Sequence, residues 1–111
     1  MAYGFIKTAC ISPALKIADC KYNAEQIQIR AAEAAKAGAS IIVFPELSLT
    51  GYTCGDLFLQ KTLLRAAQEQ LLSLIEKTEN LNSLIFVGLP VARTEGIYNC
   101  AAAIYRGQLL A

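Results

Sequence analysis

The segment IIVFPE, residues 41–46, constrains the fold more than any other part of this chain. Its four consecutive apolar residues, among them two Ile and one Val, predict a strand buried on both faces, as in a parallel sheet. Pro45 has no N–H to donate and therefore ends the strand. The next residue, Glu46, places a carboxylate at the carboxyl end of the strand, where ligands of open α/β sheets gather. Glu46 is therefore the first candidate for a functional residue.

The residues before this strand predict a strand–helix–strand unit. Residues 3–11 form a first strand, and Ser12-Pro13 breaks it. Asn23 is expected to cap a helix, with Gln26 three residues later completing a capping box. Gly38 suits the end of that helix. Such a unit normally forms a right-handed parallel crossover, which indicates an α/β protein.

The residues after it predict a helix followed by further strands. Asp56 caps a second helix over residues 57–77, and residues 84–87 form a short strand that ends at the following Gly-Leu-Pro. Residues 98–105 and 108–111 are expected to pair as an antiparallel hairpin. Parallel and antiparallel strands together give a mixed sheet. No linker or repeat interrupts the chain, so we expect no internal domain boundary within residues 1–111.

Composition excludes several classes of function. A net charge of +1 with scattered Lys and Arg argues against nucleic-acid binding. No apolar run approaches the roughly 18 residues that a membrane span requires, and no signal peptide is recognisable. The four cysteines have neither C-x-x-C nor zinc-ligand spacing, and there is no His, so we expect no metal site. Free thiols in a protein without a signal peptide predict a cytoplasmic location.

On residue type and position alone, two roles stay open for each candidate. Glu46 is either a general base at the lip of an apolar pocket or a structural carboxylate that caps a turn or pairs with a lysine. Tyr52 either packs against the turn or offers its hydroxyl to a polar ligand. Cys54 is the strongest candidate for a nucleophilic thiol among the four cysteines, because it follows the Glu46 turn. The chain has no His that could activate it. Cys10 and Cys100 lie in apolar runs and are expected in the core.

Four stretches carry a family resemblance. FPELSLTGY, residues 44–52, resembles the glutamate motif of the nitrilase (carbon–nitrogen hydrolase) superfamily. SPALKIAD (12–19), CGDLF (54–58) and YNC (98–100) with Arg106-Gly107 narrow the resemblance to the amino-terminal glutaminase domain of glutamine-dependent NAD synthetases. The stretches follow the family's order and spacing, from about Tyr3 to the last residue.

The resemblance implies a fold and a set of site residues. The fold is a four-layer α-β-β-α sandwich, of which this chain supplies roughly the first half. The superfamily hydrolyses amides with a Glu–Lys–Cys triad; Glu46 matches the glutamate, and Tyr52 would line the glutamine pocket. The family's lysine and cysteine lie beyond Ala111, so this chain is interpreted as a fragment that is inactive alone. In the family pattern Cys54 belongs to a turn motif and is not the nucleophile.

The resemblance also implies partners. L-glutamine would be the substrate, and its ammonia would pass to a carboxy-terminal synthetase domain that converts deamido-NAD to NAD. ATP and Mg would bind that domain, and the glutaminase part would need no cofactor. We also expect a homo-oligomer. Two alternatives stay open. One is a free-standing amidase acting on another amide, and the other is a non-catalytic assembly piece, whose large apolar fraction and unpaired sheet edges would favour oligomers or aggregation.

Overall fold

The chain forms one mixed sheet with two helices in the part that the computed structural model describes, residues 6–51 and 61–111. The strand order is β1-β2-β3-β4-β5; β1, β2 and β3 are parallel, and β4 and β5 continue the sheet antiparallel. The predicted parallel crossover and mixed sheet are therefore confirmed. The elements are β1 (Thr8–Cys10), α1 (Cys20–Lys36), β2 (Ile41–Val43), α2 (Lys61–Lys77), β3 (Leu84–Arg93), β4 (Gly96–Tyr105) and β5 (Gln108–Leu109).

The hydrophobic core lies between the helices and one face of the sheet. It combines α1 and α2 side chains with alternate residues of the strands, among them Ile42, Ile85, Val87, Leu89 and Ile104. Intervening residues such as Ile41, Val43, Leu84 and Phe86 are only half-buried, because the described chain packs no layer against the second face. The prediction that residues 41–44 are buried on both faces is therefore wrong for this chain. Neither described helix is long and apolar enough to cross a membrane.

The N-terminus of α1 differs from the predicted capping box. The N-cap is Asp19, whose Oδ1 accepts a hydrogen bond of 3.1 Å from the Tyr22 backbone N–H. Asn23 lies inside the helix and is fully buried. Its Oδ1 accepts from Lys16 N at 2.7 Å, and its Nδ2 donates to Lys16 O at 2.8 Å and to Leu49 O at 3.0 Å. Asn23 therefore connects two loops and does not cap the helix.

Strand β3 is longer than predicted, because it continues through Gly88 and Pro90 to Arg93. Phe86 O accepts from Phe44 N, while the N–H and C=O of Gly88 bond to the turn after β2. By the two-residue alternation of a strand, the Pro90 nitrogen points to the same side. The described chain has no strand on that side beyond the end of β2, so the missing N–H of Pro90 breaks no ladder bond.

Among the remaining boundaries, the ends of both helices and the hairpin turn follow the predictions, whereas the strand limits differ. Gly38 has φ +94° and follows the last turn of α1. Arg106 and Gly107, with φ +47° and +82°, form the tight turn of the predicted hairpin. Within residues 6–11, β1 begins only at Thr8. Helix α2 ends at Lys77 as predicted, whereas its predicted start and its Asp56 cap lie outside the described residues.

We expect Asn23→Ala to lower the free energy of unfolding by about 2–3 kcal/mol, because the hydrogen bond to the buried Leu49 C=O and the two part-buried hydrogen bonds to the Lys16 backbone are lost. Urea denaturation followed by circular dichroism measures this. The exposed Asn80→Ala is the matched control and should change stability by less than about 0.5 kcal/mol. Equal effects of the two substitutions would contradict the connecting role of Asn23.

Candidate active site

The turn over residues 45–51 presents Glu46 at the carboxyl end of β2. Ser48 N donates to Pro45 O at 3.2 Å, and Gly51 N donates to Leu47 O at 2.8 Å. Leu47 adopts φ +55°, which is uncommon for a residue with a branched side chain. Such strain persists only where surrounding contacts enforce it, and it concentrates at functional sites. This backbone geometry places the Glu46 side chain at the surface of the turn.

Gly88 of β3 lies directly against this turn. Gly88 N donates to Ser48 Oγ at 3.2 Å, and Leu49 N donates to Gly88 O at 3.1 Å. A Cβ at position 88 would lie 2.4 Å from Leu47 N and 2.8 Å from Pro45 O. Real Cβ atoms do not approach backbone so closely, so only glycine allows the turn to rest on β3.

The first loop of the chain holds the turn from another side. Asn23 Nδ2 donates to Leu49 O, and Ala18 N donates to Thr50 O at 2.8 Å. A Cβ at Gly51 would lie 3.4 Å from Ile17 Cα, so these two backbones also pass close together. The turn is therefore fixed both by β3 and by the loop that follows β1.

The Glu46 carboxylate contacts strand β4. Asn99 Nδ2 donates a hydrogen bond to Glu46 Oε1. Asn99 is paired with Pro90 in the sheet register, two positions from the Gly88–Ala101 pair. Both side chains are exposed and border a cavity of about 410 Å³ on the sheet face opposite the helices. The cavity is lined by Val43, Phe44, Pro45, Glu46, Phe86, Val87, Gly88, Asn99, Cys100 and Ala101.

A second, smaller cavity of about 220 Å³ adjoins the first and shares Val43, Phe44 and Pro45 with it. Cys10 lines this second cavity and is exposed, so its predicted place in the core is wrong. The reason is that β1 turns the Cys10 position to the uncovered sheet face, in register with Val43. Cys100 is half-buried. Among the described residues, no three His, Cys, Asp or Glu side chains are placed to hold a metal ion.

The sequence-predicted site residues meet different outcomes. Glu46 lies at the cavity, as its position after β2 suggested. Tyr52, Cys54 and Asp56 lie outside the described residues, so their predicted roles stay predictions. Asn99 was missed as a site residue, although it belongs to the YNC stretch that carried the family resemblance. The available signal was a polar side chain within an otherwise apolar strand.

Comparison with known proteins identifies the class of protein. A family model described as carbon-nitrogen hydrolase matches residues 7–111, so this chain belongs to the carbon-nitrogen hydrolase family. The chain is 36% identical over 108 residues to the glutamine-dependent NAD(+) synthetase of Mycobacterium tuberculosis. That alignment covers 97% of this chain and 16% of the relative. The chain thus spans about one sixth of the length of the curated relatives it matches.

Solved structures lead to the same family. The glutamine-dependent NAD(+) synthetase of Cytophaga hutchinsonii superposes with a TM-score of 0.86 at 27% identity, over 94% of this chain and 18% of that one. An amidase from Nesterenkonia sp., 23% identical, has the same fold with a TM-score of 0.75 over 96% of this chain and 41% of its own. The predicted resemblance and the nitrilase-type fold, of which this chain supplies about half, are therefore confirmed.

We expect Gly88→Ala to displace the Glu46 turn and to lower the free energy of unfolding by about 1–3 kcal/mol, because its methyl group overlaps the backbone of Leu47 and Pro45. Urea denaturation measures the stability, and hydrogen exchange of residues 45–51 measures the turn. Ala92→Ser, which also adds one heavy atom to β3 but at an exposed position, is the control. Unchanged exchange in Gly88→Ala would contradict the proposed contact.

Proposed function

We propose that this chain is part of a glutaminase that hydrolyses the side-chain amide of L-glutamine and supplies ammonia for the ATP-dependent conversion of deamido-NAD to NAD. The observation that carries the proposal is the Glu46 carboxylate at the lip of a cavity, at the carboxyl end of a parallel strand. Membership of the carbon-nitrogen hydrolase family and similarity to enzymes named glutamine-dependent NAD(+) synthetase support the amide and the ammonia acceptor.

Glu46 is proposed as the general base of a Glu–Lys–Cys triad. It takes the proton of the cysteine thiol as the thiolate attacks the amide carbon of glutamine, and the lysine stabilises the developing oxyanion. The proton then passes to the departing ammonia, which leaves a glutamyl thioester. Glu46 next takes a proton from water, which attacks the thioester and releases glutamate and the thiol. The lysine and the cysteine are proposed to lie outside residues 1–111, which would form the amino-terminal part of the glutaminase domain.

The cavity beside Glu46 suits a small polar substrate with an aliphatic stem. Its volume of about 410 Å³ lies within the usual range for small-molecule sites. Val43 and Phe86 supply an apolar wall, while Glu46 supplies a polar group at one side. Tyr52, six residues beyond Glu46, is proposed to contact the bound glutamine with its hydroxyl.

The remaining parts of the reaction belong to other components. ATP and Mg are proposed to bind a carboxy-terminal synthetase domain of the same protein, and the glutaminase part is proposed to need no cofactor. The relatives are much longer than this chain, and this difference is consistent with a further domain in the complete protein. The protein is also proposed to be a homo-oligomer and to act in the cytoplasm.

Glu46→Gln should lower kcat for glutamine hydrolysis at least about a hundredfold, because the base is lost while shape and size are retained. The measurement is ammonia release from L-glutamine by the protein expressed from its complete gene. Glu69→Gln, an identical change at an exposed position of α2, should leave the rate unchanged.

If the wild-type protein released no ammonia from glutamine, the proposed substrate would be wrong. Release from another aliphatic amide, again abolished by Glu46→Gln, would then support an amidase of different specificity. A Glu46→Gln variant as active as wild type would contradict the role of Glu46 for any amide.

Tyr52→Phe should raise KM for glutamine roughly threefold to tenfold with little change in kcat, because one hydrogen bond to the bound substrate is removed. Steady-state kinetics of ammonia release measure both constants. Tyr22→Phe removes a hydroxyl from a ring that packs against Lys16 and serves as the control. An unchanged KM in Tyr52→Phe would show that this hydroxyl does not contact glutamine.

A further inference from the structure

Glu46 and Asn99 reach their contact from two different structural elements, the turn after β2 and strand β4. Glu46 projects from a turn and is exposed, so its side chain has several rotamers open to it. Asn99 lies on β4, which pairs with β3 along its whole length, from Leu84–Tyr105 to Arg93–Gly96. The Asn99 amide is therefore attached to the sheet and can hold the carboxylate at one position over the cavity.

The hydrogen bond also fixes the direction of the carboxylate that it contacts. Asn99 Nδ2 donates and Glu46 Oε1 accepts. A general base must point at the proton that it takes, so a donor that holds one carboxylate oxygen supports the geometry that the reaction needs.

The surroundings of this pair contain few other charged groups. Among the described residues that line the cavity, Glu46 and Cys100 are titratable, and no Lys or Arg lines it. Cys10 is the titratable residue of the adjoining cavity. Within the described chain, the Asn99 amide is therefore the polar side chain that contacts the carboxylate.

We propose that Asn99 is a positioning residue for glutamine hydrolysis, holding the Glu46 carboxylate in one orientation over the cavity; this inference rests on the proposed function. Asn99 acts through Glu46 and not on substrate binding. Its removal should therefore change kcat and the pH dependence of the rate more than KM.

The test compares Asn99→Ala and Asn99→Asp in the protein expressed from its complete gene. Asn99→Ala should lower kcat about tenfold with KM changed less than about threefold, because the base loses its fixed orientation. Asn99→Asp is isosteric but places a second carboxylate beside Glu46, and two neighbouring carboxylates hold a proton more tightly than one. The acidic limb of the kcat/KM profile should therefore move up by about one pH unit, with activity recovering at higher pH.

The control is Asn80→Asp, which makes the same chemical change at an exposed position after α2. Its pH profile should superimpose on that of wild type. A merely structural role for Asn99 would lower the rate by the same factor at every pH, with no shift of the acidic limb. Profiles of Asn99→Asp and wild type that superimpose after scaling would overturn the inference.

A second measurement separates this inference from the proposed function. Glutamate labelled with ¹³C at the side-chain carboxyl reports the titration of Glu46 by NMR, with the resonance assigned by its absence in Glu46→Gln. If wild type failed to hydrolyse glutamine, the proposed function would fail, yet a titration midpoint raised in Asn99→Asp would still support the pairing. An unchanged midpoint would overturn the pairing, whether or not glutamine is hydrolysed.

Discussion

The close approach of the Glu46 turn to the backbone of Gly88 is the contact on which the site depends. Strand β2 is short, and the chain must leave the sheet immediately after it without losing the position of the carboxylate. Two hydrogen bonds between the turn and Gly88 replace the ladder that β2 no longer provides. Any side chain at position 88 would occupy the space of the Leu47 and Pro45 backbones. The site is thus formed by packing a turn onto a strand.

Asn23 performs a related task at the helix side of the same turn. Its three hydrogen bonds join the loop after β1 to the turn after β2, and they satisfy backbone groups of Lys16 and Leu49. A buried amide that is fully bonded restricts the chain to one arrangement, because any shift would leave polar groups unpaired. The turn is therefore held by β3 below it and by α1 beside it, and Asn99 then contacts the carboxylate itself.

Within the described residues, the stretches that carried the family resemblance converge on this turn. The SPALKIAD stretch contains Lys16 and Ala18, which bond to Asn23 and to Thr50. The FPELSLTGY stretch is the turn itself through Gly51. The YNC stretch contributes Asn99. Residues far apart in sequence thus hold the same turn. A resemblance in all of these stretches therefore indicates a function more strongly than a resemblance in a single stretch.

The local pattern of the sequence was sufficient for the strands, the helices, the mixed sheet and the position of Glu46. These features follow from apolar runs, from Pro45 and from the Arg106-Gly107 turn, all of which act over a few residues. Sequence reasoning failed at Asn23, at Pro90 and at Cys10, because each depends on what lies across the sheet or beyond its edge. An Asn can cap a helix or connect two loops, and a proline can end a strand or occupy an unpaired side of it.

The sequence by itself therefore determined the type and order of the elements and which carboxylate reaches the edge of the sheet. Only the tertiary structure decided which groups surround that carboxylate, because register and turn packing set those contacts. The pairing of Pro90 with Asn99 brings the amide beside Glu46, although the two residues are 53 positions apart. The need for glycine at position 88 arises only because the turn packs against its backbone. Such contacts join segments that are distant in the sequence, and a local sequence pattern does not predict that these segments lie close together.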